Sequence, residues 1–215
     1  MHLENFIDHT LLRPTATGKD IIQLCTEALN YNFYGVCING CHLPLAKDLL
    51  KDSKVKLVAV VGFPLGSMST KAKVNEAMDY MEQGANELDM VLNIGWLRSG
   101  DYMAVQEEIR QVKEVAGNNV LKVILETCYL TDTEIITACN LAVNAKADFV
   151  KTSTGFGPRG ASIEDVILMK KAAGNKIKIK ASGGIKDAVT VQNYIDLGVA
   201  RIGTSSGVAI VVNQN

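Results

Sequence analysis

Short hydrophobic runs alternate with amphipathic segments along almost the whole chain. The runs are rich in β-branched residues and read FIDHT, YGVCIN, VKLVAVVGF, NELDMVLN, LKVILET, DFVKTST, KIKIKAS and ARIGTSS. Between the runs, apolar residues recur at helical spacing, as at Val74, Ala77, Met78 and Met81, and at Ile21, Leu24, Cys25, Ala28 and Leu29. The pattern therefore predicts eight strands, each followed by a helix.

This alternation predicts an α/β protein, a single (β/α)8 barrel over residues 1–215. An open doubly wound sheet is the alternative. A GxGxxG pattern does occur at Gly155, Gly157 and Gly160, but it lies far from the first βα turn and Pro158 interrupts it. The barrel is therefore favoured, and functional side chains are expected at the C-terminal ends of its strands.

Two helix starts and two helix ends are marked in the sequence. TDTE at 131–134 and SIED at 162–165 have the spacing of a capping box, with a hydroxyl side chain three residues before a carboxylate. Gly84 and Gly174 follow helical segments. Glycine commonly ends a helix, so both are predicted to do so.

Composition narrows the classes of function. The 215 residues carry a formal net charge of −1, without a block of like charge, so there is no electrostatic reason to expect a nucleic acid or an anionic membrane as partner. The first residues lack the apolar stretch of a secretory signal, and no apolar run is long enough to span a bilayer. A cytoplasmic enzyme or binding protein is therefore expected.

The five cysteines do not have the spacing of a metal site. Cys37, Cys41 and His42 lie within CINGCH, but haem attachment needs two residues between the cysteines and this stretch has three. No second ligand pair follows to complete a zinc site. We expect reduced, mostly buried thiols and no bound metal.

Alternation within two strands selects residues that face the barrel axis. In DFVKTST, Lys151 shares a face with Phe149 and lies close to the strand end. In NELDMVLN, Asp89 shares a face with Glu87. A lysine and a carboxylate are thus predicted to point into the barrel near its mouth.

Two further strands add charged side chains to the same end. In LKVILET, Glu126 shares a face with Lys122. In KIKIKAS, Ile177 and Ile179 suit the helix side, which leaves Lys178 and Lys180 on the axis side with Lys180 nearer the C-terminal end. The residues predicted to meet at one barrel mouth are Lys151, Lys180, Asp89 and Glu126.

Such a cluster has two interpretations. A lysine attacks a carbonyl only as the free amine, a form that apolar surroundings and a neighbouring ammonium both favour. Lys180 would provide that ammonium beside Lys151, and Asp89 would stabilise Lys180 and transfer protons. The same residues would equally suit a structural network of ion pairs. The pattern alone leaves both interpretations open.

Two glycine-containing loops resemble anion sites. ASGGIK follows the seventh predicted strand and places Gly183, Gly184 and Ile185 in its loop, and IGTSSG ends the eighth with Gly203, Ser205 and Ser206 before an apolar helix. Glycine lets backbone N–H groups approach an anion, and barrels often hold a phosphate between these two loops. The glycines would otherwise serve only to turn the chain, but a phosphate site is favoured.

Seven motifs in order resemble the deoxyribose-phosphate aldolase family over most of the chain. They are FIDHTLL, GFPLGSMSTKAKVNEA, GANELDMVLNIG, LKVILET, DFVKTSTGFG, KASGGI and RIGTSSG. The resemblance implies a class I, Schiff-base aldolase that cleaves 2-deoxy-D-ribose 5-phosphate to glyceraldehyde 3-phosphate and acetaldehyde. It also implies a phosphosugar as the partner molecule, no metal or organic cofactor, and assembly as a homo-oligomer, either a dimer or a tetramer.

The resemblance assigns roles to individual residues. Lys151 in VKTSTG is similar to the Schiff-base lysine, and Asp89 in ELDMV with Lys180 in KASGG is similar to the proton-transfer pair. It thereby selects Lys180 over Lys178. Gly155 in the STG motif joins the two glycine loops as a substrate-binding residue.

The chain departs from the family pattern in two places. Some members carry a second lysine directly after STG, where this chain has Phe156. A charge near the phosphate is therefore either absent or comes from another residue, with Lys186 as the candidate. The chain also ends at VVNQN soon after the last predicted helix. A catalytic contribution from a longer C-terminal tail, as in some relatives, is therefore not expected here.

Several motif residues have no assigned role. Four of them are candidates for lining the pocket, namely Asp8, Thr10, Cys37 and Ser69. A role in packing or capping would explain each of these residues at least as well. His9 and His42 are given no function. Two alternatives stay open beside the aldolase: another phosphosugar-barrel enzyme, such as an isomerase or decarboxylase that uses Lys151 only as a charge, and a non-catalytic phosphosugar-binding protein.

Overall fold

The computed structural model describes residues 2–213 and shows a closed barrel of eight parallel strands. The strands are β1 (Ile7–Leu11), β2 (Gly35–Ile38), β3 (Lys56–Val61), β4 (Glu87–Val91), β5 (Val120–Ile124), β6 (Phe149–Lys151), β7 (Lys178–Ser182) and β8 (Arg201–Thr204). Each strand overlaps one predicted run, and they pair in chain order with β8 closing on β1. The predicted (β/α)8 barrel is confirmed.

Helices surround the barrel. They are α1 (Gly18–Asn30), α2 (Leu43–Leu50), α3 (Thr70–Glu82), α4 (Ile94–Arg98), α5 (Tyr102–Ala116), α6 (Asp132–Asn144), α7 (Ile163–Ala173), α8 (Ala188–Asp196) and α9 (Gly207–Val212). Short 3-10 turns precede β1, α2 and α6 at Leu3–Phe6, Gly40–His42 and Thr127–Tyr129. The end of the chain, Gln214 and Asn215, lies outside the described residues, as does Met1.

Alternation along the strands sorts the side chains as the sequence predicts. Leu88 and Met90 of β4 pack outward in the large apolar cluster beneath the helices, whereas Glu87 and Asp89 are buried on the inner face. Inside the barrel, a second apolar cluster lies on the side of β1, β2 and β3; its members are Leu12, Cys37, Val58 and Val60, with Phe63 packed against them. The interior thus has an apolar wall facing a charged half.

The buried face of α3 differs from the predicted stripe. Ala77 is buried as expected, but Met78 is 47% exposed and the side chain of Lys73 is fully buried. A hydrophobic pattern cannot anticipate a lysine on a buried helix face, because such a lysine needs a partner that only the tertiary structure supplies. In α1 the stripe is confirmed except at Leu29, which is exposed.

The predicted helix signals are present with one variation. Thr131 and Glu134 form a reciprocal capping box at α6. Ser162 accepts from the N–H of Asp165 at α7, but the Asp165 carboxylate binds Thr127 and Arg159 instead of completing a box. Gly84 and Gly174 follow α3 and α7 with positive φ, as predicted. Within residues 2–213, no helix combines the length and apolar character needed to cross a membrane.

Candidate active site

Three buried residues predicted from separate strands meet inside the barrel near its C-terminal end. Lys151 ends β6 and Lys180 is its register partner in β7, while Asp89 in β4 is the register partner of Lys122 in β5. Because parallel strands place their inward side chains around one axis, Asp89 reaches across to both β6 and β7. The structure therefore brings these three side chains together, as strand alternation predicts.

The Asp89 carboxylate is the centre of this arrangement. Its Oδ2 lies 2.8 Å from the Nζ of Lys151 and 2.8 Å from the Nζ of Lys180. Its Oδ1 lies 2.7 Å from the Nζ of Lys122. The bond to Lys122 fixes the rotation of the carboxylate, so that one oxygen is presented to both of the other lysines.

A deeper layer of charge supports these residues. Asp8 binds Lys180, and Asp8 and Glu87 lie 3.0 and 3.1 Å from the same guanidinium nitrogen of Arg201. In total, three carboxylates face four cationic side chains, namely Asp8, Glu87 and Asp89 with Lys122, Lys151, Lys180 and Arg201. Arg201 was not predicted from the sequence, although its inward position follows from its register with Lys180.

Charge pairing keeps two of these groups ionised. Burial by itself raises the pKa of Asp89, but attraction to the three neighbouring lysines outweighs it and holds that pKa well below its ordinary value. Burial by itself lowers the pKa of Lys180, whereas attraction to Asp8 and Asp89 is stronger and raises that pKa. At neutral pH, Asp89 is a carboxylate and Lys180 an ammonium.

Glu126 does not join the lysines. Its carboxylate accepts from the N–H of Thr154 at 3.2 and 3.3 Å and from the Thr154 hydroxyl. Glu126 lies beyond the end of β5 and has a left-handed backbone with φ of 54°, so strand alternation no longer determines the direction of its side chain. The prediction for Glu126 is wrong for this reason, and its role is to brace the loop after β6.

A cavity of about 370 Å³ opens above Lys151. Its volume lies in the range of sites that hold small ligands. Lys151 contributes to its wall, whereas Asp89 and Lys180 are buried behind Lys151. All seven residues predicted to bind substrate or phosphate line it: Gly155, Gly183, Gly184, Ile185, Gly203, Ser205 and Ser206. Arg13, Phe156 and Lys186 also line it, the first of them not anticipated from the sequence.

The loops after β7 and β8 are tied together beneath this cavity. The Thr204 hydroxyl donates to the carbonyl of Ile185 at 2.7 Å and accepts from the N–H of Ser206 at 2.9 Å. The N–H of Ser206 is therefore occupied within the fold, so among its polar groups the hydroxyl is the donor that Ser206 could offer to an anion. Among residues 2–213, the N–H groups of Gly184, Ile185 and Ser205 have no acceptor. Since α9 has only six residues, the hydrogen-bond donors available to an anion are these loop N–H groups and not the N-terminus of the helix.

The glycines of these loops serve different purposes. A Cβ at Gly203 would lie 2.9 Å from the Cβ of Ser182 and 3.1 Å from the Cε of Lys180, so this glycine makes room for the buried lysine. A Cβ at Gly183 would lie 2.8 Å from the Cα of Gly160. At Gly184, with φ of 78°, a Cβ would meet no described atom within 4 Å, so its backbone borders open cavity.

The remaining motif residues divide between the site and the framework. Asp8 belongs to the charged network and Thr10 lines the cavity, while Ser69 caps α3 by accepting from the N–H of Ala72. Cys37 is buried in the apolar wall, where burial raises the pKa of its thiol.

The histidines are outside the charged network. His9 bonds to Glu27 at 2.7 Å and packs on Phe33. His42 lies at the start of α2, at the end of a 3-10 turn. In these contacts, neither His9 nor His42 touches Lys151.

Comparison with known proteins gives a consistent result. Residues 5–213 match the model of a family described as DeoC/LacD family aldolase. The chain is 51% identical to a deoxyribose-phosphate aldolase from Mycoplasmopsis pulmonis, covering 100% of this chain and 97% of that relative, and 54% identical to one from Carboxydothermus hydrogenoformans, covering 97% and 93%.

Solved structures agree with the sequence matches. An aldolase called QR15 superimposes with a TM-score of 0.94 at 42% identity, covering 98% of this chain and 94% of that one. A tetrameric deoxyribose phosphate aldolase from Aeropyrum pernix superimposes with a TM-score of 0.89 at 33% identity, covering 98% and 89%.

Proposed function

Because the chain belongs to the DeoC/LacD aldolase family, we propose that it is a class I aldolase that reversibly cleaves 2-deoxy-D-ribose 5-phosphate to D-glyceraldehyde 3-phosphate and acetaldehyde. The observation that carries this proposal is the position of Lys151, a buried amine at a strand end in the wall of a ligand-sized cavity. Its nitrogen shares one carboxylate oxygen with the ammonium of Lys180. That geometry provides a nucleophile with a proton donor beside it.

The first half of the reaction makes the electron sink. The free amine of Lys151 attacks C1 of the open-chain sugar, and the resulting carbinolamine loses its hydroxyl as water to form an iminium. The positively charged nitrogen accepts electrons as a metal or organic cofactor would, so the chemistry needs neither. The rigid strand β6 holds the amine in place for this attack.

The second half breaks the carbon–carbon bond. The C3 hydroxyl loses its proton, the C2–C3 electrons move to the iminium, and glyceraldehyde 3-phosphate leaves with C3 as its aldehyde carbon. The enamine that remains on Lys151 takes a proton at C2. Water then hydrolyses the new iminium, which releases acetaldehyde and restores the amine.

Asp89 and Lys180 are proposed to move the protons of these steps. Because Lys180 is held as an ammonium beside Lys151, it is the local acid for loss of water from the carbinolamine. Asp89, held as a carboxylate, accepts protons and orients both amines. Arg201 and Lys122 hold the network together without lining the cavity.

The phosphate is proposed to lie on the loops after β7 and β8. The free N–H groups of Gly184, Ile185 and Ser205 face this part of the site, and Lys186 supplies the charge that Phe156 does not. We also propose a homo-oligomer, as a dimer or tetramer, and a cytoplasmic role in deoxyribose phosphate catabolism. The Aeropyrum pernix tetramer supports the oligomer.

Replacing Lys186 by methionine is expected to raise KM for 2-deoxyribose 5-phosphate roughly tenfold, because the variant lacks a charged partner for the phosphate. Cleavage of unphosphorylated 2-deoxyribose, slow in both proteins, should stay within about twofold. Initial rates of acetaldehyde release on both substrates measure this. Lys186 is preferred to Gly184 for the test, because φ of 78° at Gly184 would strain any side chain introduced there.

Lys54→Met is the matched control, because Lys54 is exposed in the loop before β3 at the opposite end of the barrel. It should leave both substrates unchanged. An equal loss on both substrates in the Lys186 variant would place Lys186 in the framework of the loop and not at the phosphate. Failure of the unchanged protein to release acetaldehyde would contradict the aldolase proposal itself.

A further inference from the structure

A buried ion pair lies behind β4, on the helix side of the barrel and apart from the charged network of the interior. Lys73 of α3 and Glu108 of α5 are both fully buried, and the Nζ of Lys73 lies 2.7 Å from the Oε2 of Glu108. Burial lowers the pKa of Lys73 and raises that of Glu108, and their attraction acts against both shifts. A pair buried so completely is weak as a source of stability, because desolvation offsets the attraction.

The ammonium of Lys73 also makes a contact with the strand that carries Asp89. Its Nζ donates to the carbonyl of Val91 at 2.8 Å. Val91 is the last residue of β4, and Asp89 lies two positions before it on the same strand face. The pair therefore holds the end of β4 at the place where the catalytic carboxylate is presented.

The topology explains why the end of β4 needs such a partner. The N–H of Leu92 donates to the carbonyl of Ile124 in β5 at 3.2 Å, so the carbonyl of Val91, in the same peptide, points toward β3. The register of β3 with β4 ends at Val61 and Met90, and β3 turns away at Gly62. Among residues 2–213, no strand N–H thus donates to the carbonyl of Val91, and the ammonium of Lys73 takes that place.

Gly62 leaves room for the side chain of Lys73. A Cβ at Gly62 would lie 2.8 Å from the Cε of Lys73, and φ of 64° at this residue favours glycine. The chain therefore turns at Gly62 in a way that both ends β3 and admits the Lys73 side chain to the end of β4.

We propose that Lys73, held by Glu108, is a positioning residue for the aldolase reaction, which fixes the C-terminal end of β4 and with it the Asp89 carboxylate. The expected effect on the reaction rests on the proposed function, whereas the effect on the end of β4 does not. A displacement of about 1 Å can cost on the order of 10²-fold in rate, so release of this strand end is sufficient to impair the chemistry. The effect falls on kcat, because the loops proposed to bind phosphate belong to β7 and β8.

The test replaces both members of the pair, as Lys73→Met/Glu108→Leu. The single variant Lys73→Met leaves Glu108 buried without its partner and should unfold at a clearly lower temperature. The double variant removes both charges and should recover most of that loss. It should nevertheless keep a kcat at least tenfold below that of the unchanged protein, with KM changed less than threefold. A purely structural pair would recover its rate together with its stability.

The matched control is Lys113→Met/Asp148→Leu. These two residues form a partly buried ion pair 2.7 Å apart, and Asp148 likewise binds a strand end, the N–H of Leu121 at the start of β5. This pair lies at the opposite end of the barrel, so its loss should lower the unfolding temperature and leave kcat within about twofold. An equal fall of kcat in both double variants would overturn the proposal in favour of general destabilisation.

A readout that does not use activity separates this proposal from the proposed function. The N–H of Leu92 belongs to the same peptide as the carbonyl of Val91 and donates to Ile124 of β5. Amide hydrogen exchange at Leu92 should therefore be faster in Lys73→Met/Glu108→Leu than in the unchanged protein, while exchange in β1 stays unchanged. Unchanged exchange at Leu92 would overturn the positioning role whether or not the protein cleaves the sugar. A kcat within twofold of the unchanged protein in the double variant would also overturn it.

Discussion

Lys151→Ala is expected to abolish cleavage of 2-deoxyribose 5-phosphate, with kcat at least about 10⁴-fold lower. Without the amine there is no iminium to accept the C2–C3 electrons. Lys180 cannot replace it, because its nitrogen is buried behind the cavity wall and bound to Asp8 and Asp89. Steady-state rates of acetaldehyde and glyceraldehyde 3-phosphate release measure the loss.

The folded barrel should survive this change. Three carboxylates face four cationic side chains in the interior, so removal of Lys151 leaves three of each. Thermal unfolding should therefore remain cooperative. Lys178→Ala is the control, since Lys178 begins β7 at the opposite end of the barrel and should leave the rate unchanged. A folded Lys151→Ala protein that keeps more than about 1% of the rate would remove Lys151 from the mechanism.

Asp89→Asn and Lys180→Met are expected to reduce kcat by about 10² to 10⁴-fold each, the usual effect of losing a positioned proton-transfer group. Both variants retain Lys151 and the phosphate loops, so KM should change far less than kcat. Asp89→Asn removes the charge that binds three lysines, whereas Lys180→Met removes one of the three lysines that surround Asp89. Steady-state kinetics of the two variants, with the same two products, measure the effect.

The two variants should differ in stability. The change Asp89→Asn leaves two interior carboxylates to face four cations, whereas loss of Lys180 leaves three of each, so Asp89→Asn should unfold at the lower temperature. A Lys180→Met protein with an unchanged kcat would show that Lys180 only balances charge. An Asp89→Asn protein with an unchanged kcat would make the carboxylate a structural partner of the lysines.

The strand pattern predicted the fold and most of the interior. Alternation placed Lys151, Asp89 and Lys180 on the axis side because one face of each strand must pack against helices, and the apolar residues between them fix that face. The loops with Gly184 and Ser205 were predicted from their position after the last two strands. Strand ends and turn residues are local features, so one sequence suffices to find them.

Partners of long charged side chains could not be predicted in the same way. Arg201 binds residues more than a hundred positions away. Glu126 binds Thr154 and not the lysines, and its sequence neighbours do not signal its left-handed backbone.

Lys73 was not predicted to be buried, because the apolar pattern of α3 indicated Met78 for the buried face. Within the described residues, the carbonyl of Val91 lacks a strand partner and is bound by Lys73 instead, a contact that the helix pattern does not show. Such choices depend on contacts between distant segments.

Borohydride reduction in the presence of 2-deoxyribose 5-phosphate tests whether Lys151 forms an iminium with the sugar, because reduction converts an iminium to a stable secondary amine. Covalent modification and inactivation are expected only when substrate is present. Peptide mapping should place the adduct on Lys151, and Lys151→Ala should form no adduct. An isomerase, a decarboxylase or a sugar-binding protein that uses Lys151 only as a charge would remain unmodified. Cleavage of the sugar without an adduct, or with the adduct on another lysine, would contradict a Schiff-base mechanism at Lys151.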